Sequence, residues 1–482
     1  MTNNRPTMTN HIPRLAVLAT ALLLAGCASM GSIGSQAKLT NAAALNLDAS
    51  ATTAVPAQWW RQLGDDQLNR LVDQALADNP GLRVAQARLA RARAASEAAG
   101  APLLPQVNGS IDVMRQRYSE HSLIPPPLGG AIVTNATAQV SAGWEIDFFG
   151  KNRAALESAV GTERAAQAEG DAARILLAVN VTRAYLQLAR SSDHLEVAQR
   201  TLAQREQSLR LVRDRVNAGL DTNLELRQSE GALPEARQQI EALQEQATLS
   251  RNVLAALVGQ PNAQVVAMAP RLASFKPVTL AGVIPANLLG QRADIAAARW
   301  RVEAADAGIT NARAQFYPDI NLAAFAGLSS LGLGELLQAG SLQWGVGPAI
   351  RLPIFEGGKL RANLRGKAAD YDAAVESYNA TVIDAIHEVG DQIASGKSVS
   401  LQQAEQRQAA RSAELAYEIA VQRYQAGLGN YLNVLSAENA VLAQRRLAVD
   451  LAARALDTQV ALARALGGGY VPGAESVAAA SK

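Results

Sequence analysis

Two hydrophobic periods share this chain. From Thr134 the residues alternate between an apolar or small set (Ala136, Ala138, Val140, Ala142, Trp144, Ile146, Phe148) and its complement (Asn135, Thr137, Gln139, Ser141, Gly143, Glu145, Asp147). A period of two with one face of each class predicts a half-buried strand. "QVNGSIDVM" sets Val107, Ile111 and Val113 against Asn108, Ser110 and Asp112. "DINLAAFAGL" alternates more weakly through Ile320, Leu322, Ala324 and Ala326, and "LQWGVGPAIRL" sets Leu342, Trp344, Val346 and Ile350 against Gln343 and Arg351. The predicted strands therefore come as two pairs, 106–117 with 133–148 and 318–329 with 341–352.

The longer period is helical. No proline interrupts the chain between Pro127 and Pro234, or between Pro353 and Pro472. In the first interval Leu195, Ala198, Leu202, Arg205, Leu209, Val212 and Val216 keep a 3-4 spacing. In the second, Leu432, Leu435, Asn439, Leu442, Arg446, Val449, Ala453, Leu456 and Val460 do the same. Both read as coiled-coil seams with polar interruptions. A helix over 152–217 would be about 100 Å long at 1.5 Å per residue, more than a compact domain's diameter.

The pattern is also written twice. "RVNAGLDTNLELRQSE" (215–230) and "RYQAGLGNYLNVLSAE" (423–438) match at Arg215/Arg423, Ala218/Ala426, Gly219/Gly427, Leu220/Leu428, Leu224/Leu432 and Glu230/Glu438. Each is a helix–Gly–helix turn that follows a strand pair and a long helix. The expected organisation is a repeat over 58–270 and a second over 271–470, mainly α, each helix–β-hairpin–long helix–helix. A tail follows over 471–482.

The strand lengths suit a tilted bilayer crossing. Strands in lipid need paired edges, and four cannot close a barrel, since small barrels need about eight. Either the hairpins cap a soluble helical bundle, or several copies complete one barrel. The N-terminus bears on that choice. Arg14 precedes the short apolar run "LAVLATALLLAG", which ends in "LAGC" at Cys27. This is a signal peptide (1–26) closing on a lipobox-like motif, so Cys27 is the expected attachment point for an N-acyl diacylglycerol, and 27–57 a lipidated linker. Ala28 and Ser29 follow, with no Asp of the kind that retains lipoproteins at the inner membrane. The expected location is the outer membrane of a Gram-negative bacterium. Met1 and Met8 both open "MTN" and either could be the start.

Composition narrows the function classes. Charges nearly balance at +2, giving no field for nucleic acid, and aromatics are only 4%. Cys27 is the single cysteine, so no disulfide is available. "EGGK" (356–359) lacks phosphate-loop spacing, and "HEVGD" (387–391) has Asp where a zinc helix needs its second His. The four histidines lack ligand spacing. No enzyme, metal or cofactor beyond the lipid is expected.

Five segments in order carry a family resemblance: "WWRQLGDDQLNRLVDQALADNPGLRVAQARL", "GWEIDFFGKNRAALESA", "IPANLLGQRADIAAARWRVEAADAGITNARAQFYPDINL", "PAIRLPIFEGGKLRANL" and "NYLNVLSAENAVLAQRRL…ALARALGGGY". Over about 58–470 the chain resembles TolC-like outer-membrane factors of tripartite efflux systems, in their lipoprotein branch. The resemblance implies a homotrimer with a 12-stranded barrel in outer-membrane lipid and a long periplasmic α-barrel. It also implies a periplasmic adaptor and an inner-membrane resistance-nodulation-division transporter as partners. On that basis Gly219, Leu220, Gly427 and Leu428 lie at the periplasmic tip and are candidates for adaptor docking. Some relatives ring the aperture with acids after the second turn. Here those positions are Gly429, Asn433 and Ser436, so Asp221 and Glu225 of the first turn are the candidate ring. Asp221 would otherwise cap the helix that follows. Arg215, Arg423 and Tyr424 are candidate ties holding the tip shut. Two other readings remain: a type I secretion channel on the same fold, and a coiled-coil envelope lipoprotein with no pore.

Overall fold

The computed structural model describes residues 33–40, 55–121, 123–259, 268–276 and 288–471. Cys27 and its signal peptide lie outside the described residues, as does the tail beyond 471. The chain forms two compact units, each drawing on both repeats.

The first unit comprises 1–39, 89–165 and 298–378. Its sheet contains β1 (Gln106–Arg117), β2 (Ile132–Ile146), β3 (Asp319–Leu331) and β4 (Leu342–Arg351), antiparallel and in that order. Pairing runs Ile111 to Ala138, Ala142 to Ala324, and Ala324 to Val346. The two expected hairpins are therefore one sheet, fused through β2 and β3. Strand pattern alone could not reveal that join, because nothing local specifies which edges meet. Because cross-strand partners share a face, the apolar sets assemble on one side: Ile111, Val140, Leu322, Trp344 and Val346. These side chains are exposed in the single chain.

Where β2 ends, the chain turns straight into a helix. Asp147 accepts from the backbone N–H of Asn152 (3.0 Å) and Arg153 (2.8 Å), stabilising the first turn of α3 (Lys151–Asn217). Lys151 Nζ bridges Glu145 of β2 and Asp319 of β3, 2.7 Å from each. Ile33, like Leu360 and Tyr371 of α6 (Lys359–Gln425), packs against the cluster of Ile309, Phe316 and Leu364, and Gln36 N and Ala37 N donate to Asp372 Oδ1 at 2.9 and 3.0 Å. The segment 33–40 is thereby held to that helix as a strap.

The second unit comprises 40–88, 166–297 and 379–482. Its main core gathers Trp59, Trp60, Leu68, Val72, Tyr185, Leu188, Leu254 and Phe275. Helix α1 (Asp66–Asp78) enters this core after Asp65 caps it, accepting from Leu68 N at 2.8 Å; α2 (Pro80–Gly100) follows it in the chain, and α5 (Ala293–Ala314) precedes β3. Helix α7 (Tyr431–Ala465) ends at "GGG", where a Cβ on Gly467 would lie 1.9 Å from the Gln291 carbonyl oxygen. Only glycine fits there.

The second predicted seam needs correction near the turn. Leu432, Asn439 and Arg446 are exposed, while Tyr431, Val434, Glu438 and Val441 are buried. The adjacent stripe wins because Tyr431 and Val434 close a cluster with Val212 and Tyr424. Farther along, Leu456 and Val460 are buried as expected.

Candidate functional site

Both duplicated turns belong to the second unit, and their backbones are built alike. Gly219 and Gly427 have φ of +71° and +72°, a region closed to most side chains. Leu220 N donates to Arg215 O (2.9 Å) and Gly219 N to Val216 O (3.0 Å). Leu428 N to Arg423 O (2.8 Å) and Gly427 N to Tyr424 O (3.1 Å) repeat the arrangement. This double bond pattern around a left-handed Gly is a Schellman C-cap. A new helix then starts on a side-chain cap: Thr222 for α4 (Asn223–Val258) and Asn430 for α7. Leu220 and Leu224 in the first turn, like Leu428 and Leu432 in the second, stand exposed.

The chemistry around the two turns differs. Thr222, not Asp221, caps α4, accepting from Leu224 N at 3.2 Å. Glu225 reaches back to Thr222 N at 2.9 Å and completes a capping box. Hydrogen bonds from Thr222 hold its carboxyl below the usual glutamate range. Asp221 is thus released for another use. Arg215 Nε donates to its Oδ2 at 2.9 Å and Nη2 to its Oδ1 at 3.4 Å, a two-pronged pair. The Tyr424 hydroxyl donates to the same Oδ2. The Arg215 guanidinium also lies over the Tyr424 ring, 4.5 Å from its centroid.

Asp221, Arg215 and Tyr424 therefore form one closed triad linking the first-repeat turn to α6. Burial alone would raise the Asp221 pKa, but the bonds from Arg215 and Tyr424 win and hold it below the usual range. The Tyr424 hydroxyl is pushed up by burial and by donating to Asp221. Arg423 takes no part in the triad. Its Nη2 donates to Leu428 O at 3.2 Å, within its own turn.

Above the turns sits a pair that the sequence pattern concealed. Glu438 is 3% exposed and Arg205 8%. Arg205 Nε donates to Glu438 Oε1 at 3.3 Å, and its Nη1 to Glu235 Oε2 (3.2 Å) and Ala232 O (2.9 Å). Burial pushes the Glu438 carboxyl up, with Arg205 opposing. Arg205 was visible as a break in an apolar seam; its partner was not, because the seam of α7 was drawn one stripe away. Among the described residues no cluster of His, Cys, Asp and Glu could hold a metal ion. No described helix is long and apolar enough to cross a membrane.

A family model described as outer membrane efflux protein matches residues 71–260 and 284–468. The fusaric acid resistance protein FusA of Burkholderia cepacia is 39% identical over 364 residues, 73% of this chain and 68% of that protein. The putative multidrug resistance outer membrane protein MdtQ of Escherichia coli K12 is 32% identical over 477 residues, covering 95% and 98%. The crystal structure of the outer membrane protein VceC from Vibrio cholerae superposes with a TM-score of 0.81 at 36% identity, covering 86% of this chain and 99% of VceC.

Proposed function

The chain belongs to the outer membrane efflux protein family, and from that premise we propose that it is the exit duct of a tripartite pump, assembled as a homotrimer. It is an efflux channel of the Gram-negative outer membrane, in a family of ducts. Its cargo on this reading is small toxic organic molecules, the class that the names of FusA and MdtQ indicate for those relatives.

One observation carries the trimer. Four strands form a sheet with one apolar and one polar face, and β1 and β4 remain as its edges. In lipid such edges must be paired, and three copies supply 12 strands, enough for a barrel with a polar lumen. On this reading the long helices line the periplasmic passage, with both Gly turns at its tip. The paired exposed leucines, Leu220 with Leu224 and Leu428 with Leu432, offer the periplasmic adaptor matching sites. Cys27 carries the diacylglycerol anchor on this reading.

Transport energy comes from an inner-membrane resistance-nodulation-division transporter. The duct's part is to open. In the resting tip the triad of Arg215, Asp221 and Tyr424 locks the first turn to α6, and its Asp221 charge is matched by Arg215. Opening separates them and adds Asp221 to Glu225 in a carboxylate ring at the aperture.

Purified protein tests this reading. It should run as a trimer by native mass spectrometry and give steady, cation-preferring conductance in planar bilayers. A monomer that never conducts would remove the duct reading.

A further inference from the structure

The sheet of the first unit sorts most of its side chains by class; Met114, Val133 and Leu331 break the sorting toward the loop ends of their strands, and Phe325 breaks it at mid-strand. Thr137, Gln139, Ser141 and Asn321 mark the polar face. Thr137 Oγ1 lies 3.5 Å from Ser329 Oγ, which fixes the side on which this series stands. Phe325 belongs to the same series. It pairs with Ser141 on β2 and Gly345 on β4, at the seventh of the 13 positions of β3. The large apolar residues of β4 all stand on the other side, and Phe325 is the one aromatic ring on the polar face of the four strands.

Its surroundings on that face are small: Ala323 and Gly327 along β3, and Gly345 and Gly347 across from it. The ring reaches over Gly345, where a Cβ would come within 2.6 Å of its edge. That glycine makes room for the ring. One face of the contact is therefore set by β4, and 41% of Phe325 stays exposed. Cover for a strand glycine explains the contact with Gly345. It does not explain why so large an apolar group was placed among serines, threonines and glutamines, where it faces water at mid-strand.

We propose that Phe325 is a cargo-contact residue that gives the duct a preference for planar aromatic molecules, cationic ones included. This rests on the trimeric duct proposed above, in which the polar face lines the lumen. Threefold symmetry then sets three rings at one level, halfway along the strands, beside Asn108, Ser141 and Gly345. Aromatic rings offer stacking and edge contacts to aromatic cargo, and their faces attract organic cations. Small hydrated ions gain nothing from them.

The test is block of ionic current by an aromatic cation, with ethidium as the probe, on purified trimer in planar bilayers. Wild type should show ethidium block. Phe325→Ala should raise the half-blocking concentration about threefold to tenfold, the factor that one aromatic contact carries. Phe325→Leu keeps the apolar bulk and the cover over Gly345, so it guards against loss of folding, and it should show the same direction of change. Trp344→Leu, on the opposite face, should leave block unchanged. Equal block by wild type and Phe325→Leu would overturn the proposal while leaving the duct intact. A wild-type protein without conductance would instead bring down the duct reading, and this inference with it.

Discussion

The two Gly turns share a backbone and differ in chemistry, and the difference lies at one position. Both end a long helix on a left-handed glycine with the same pair of capping bonds, and both begin the next helix on a polar side chain. Between Leu and the cap, the first turn has Asp221 and the second Gly429. Each turn also has an arginine four residues before its glycine. Given Asp221, Arg215 forms the two-pronged pair and stacks on Tyr424. Lacking a carboxylate at 429, Arg423 falls back on the Leu428 carbonyl. Duplication has thus copied geometry, while one side chain decides which turn locks. The same division recurs higher up. Glu230 pairs with Arg213 and Arg227 at the surface, whereas its counterpart Glu438 is sealed against Arg205.

The largest expected effect separates those two glutamates. Glu438→Ala leaves the buried Arg205 guanidinium only the exposed Glu235 carboxylate and the Ala232 carbonyl oxygen as partners, and should cost about 3 kcal/mol. Glu230→Ala breaks pairs that solvent already screens and should cost under about 1 kcal/mol. Urea unfolding of the two variants compares them directly; equal losses would mean that burial is not what distinguishes the repeats. Acid sharpens the contrast. The Glu438 pKa is raised by burial, so its contribution is fully present below the ordinary value of 4.5 and is lost as pH rises through its folded value. The Asp221 pKa is lowered, so its contribution is present above 3.8 and is lost as pH falls through its own folded value. Glu438→Gln and Asp221→Asn should therefore remove pH dependences of opposite sign.

How much of this could be read without coordinates follows from how local each signal is. The turns were legible because Gly219 and Gly427 sit in matching 16-residue strings, and the strands because alternation needs only neighbours. β3 was the weak case: its alanines blur the period, which is why Phe325 gave no warning of the face it occupies. Fusion of the hairpins through β2 and β3 is a long-range pairing with no local trace. For Asp221 the sequence left two readings open, an aperture carboxylate and a helix cap, because Asp and Thr are both good caps at adjacent positions. The choice of Thr222 depended on Arg215 and Tyr424, the latter more than two hundred residues away, claiming the carboxylate. The Cys27 attachment point rests on its motif alone, since it lies outside the described residues.

Asp221→Asn removes the charge that holds Arg215 and gives Tyr424 a weaker acceptor, in a site where Asp221 is nearly buried. The expected loss is about 1–3 kcal/mol of tip closure, read as larger conductance in bilayers and as sensitivity of the cell to bulky antibiotics. If closure is unchanged, the triad is a local ornament of the first turn and the two turns are equivalent in function after all.

The smallest effect is the most discriminating, because it runs the comparison backwards. Gly429→Asp gives the second turn the residue that the first one has. The backbone permits it: Gly429 is not in the left-handed region, and an added Cβ would meet only ordinary contacts, the nearest at 3.6 Å from Arg423 Cβ. Arg423 is within the same turn and has the same offset from the new carboxylate as Arg215 has from Asp221, so a second pair should form. Yet it would lack the tyrosine. The position matching Tyr424 in the first repeat is Val216, which offers neither a hydroxyl nor a ring face. The new pair is then an exposed salt bridge worth about 0–1 kcal/mol, with little effect on closure and, in the proposed trimer, an increased preference for cations from the three added carboxylates. Should Gly429→Asp instead close the channel as firmly as the native triad does, the carboxylate–arginine pair alone would suffice for locking. Tyr424 would then be reduced to packing.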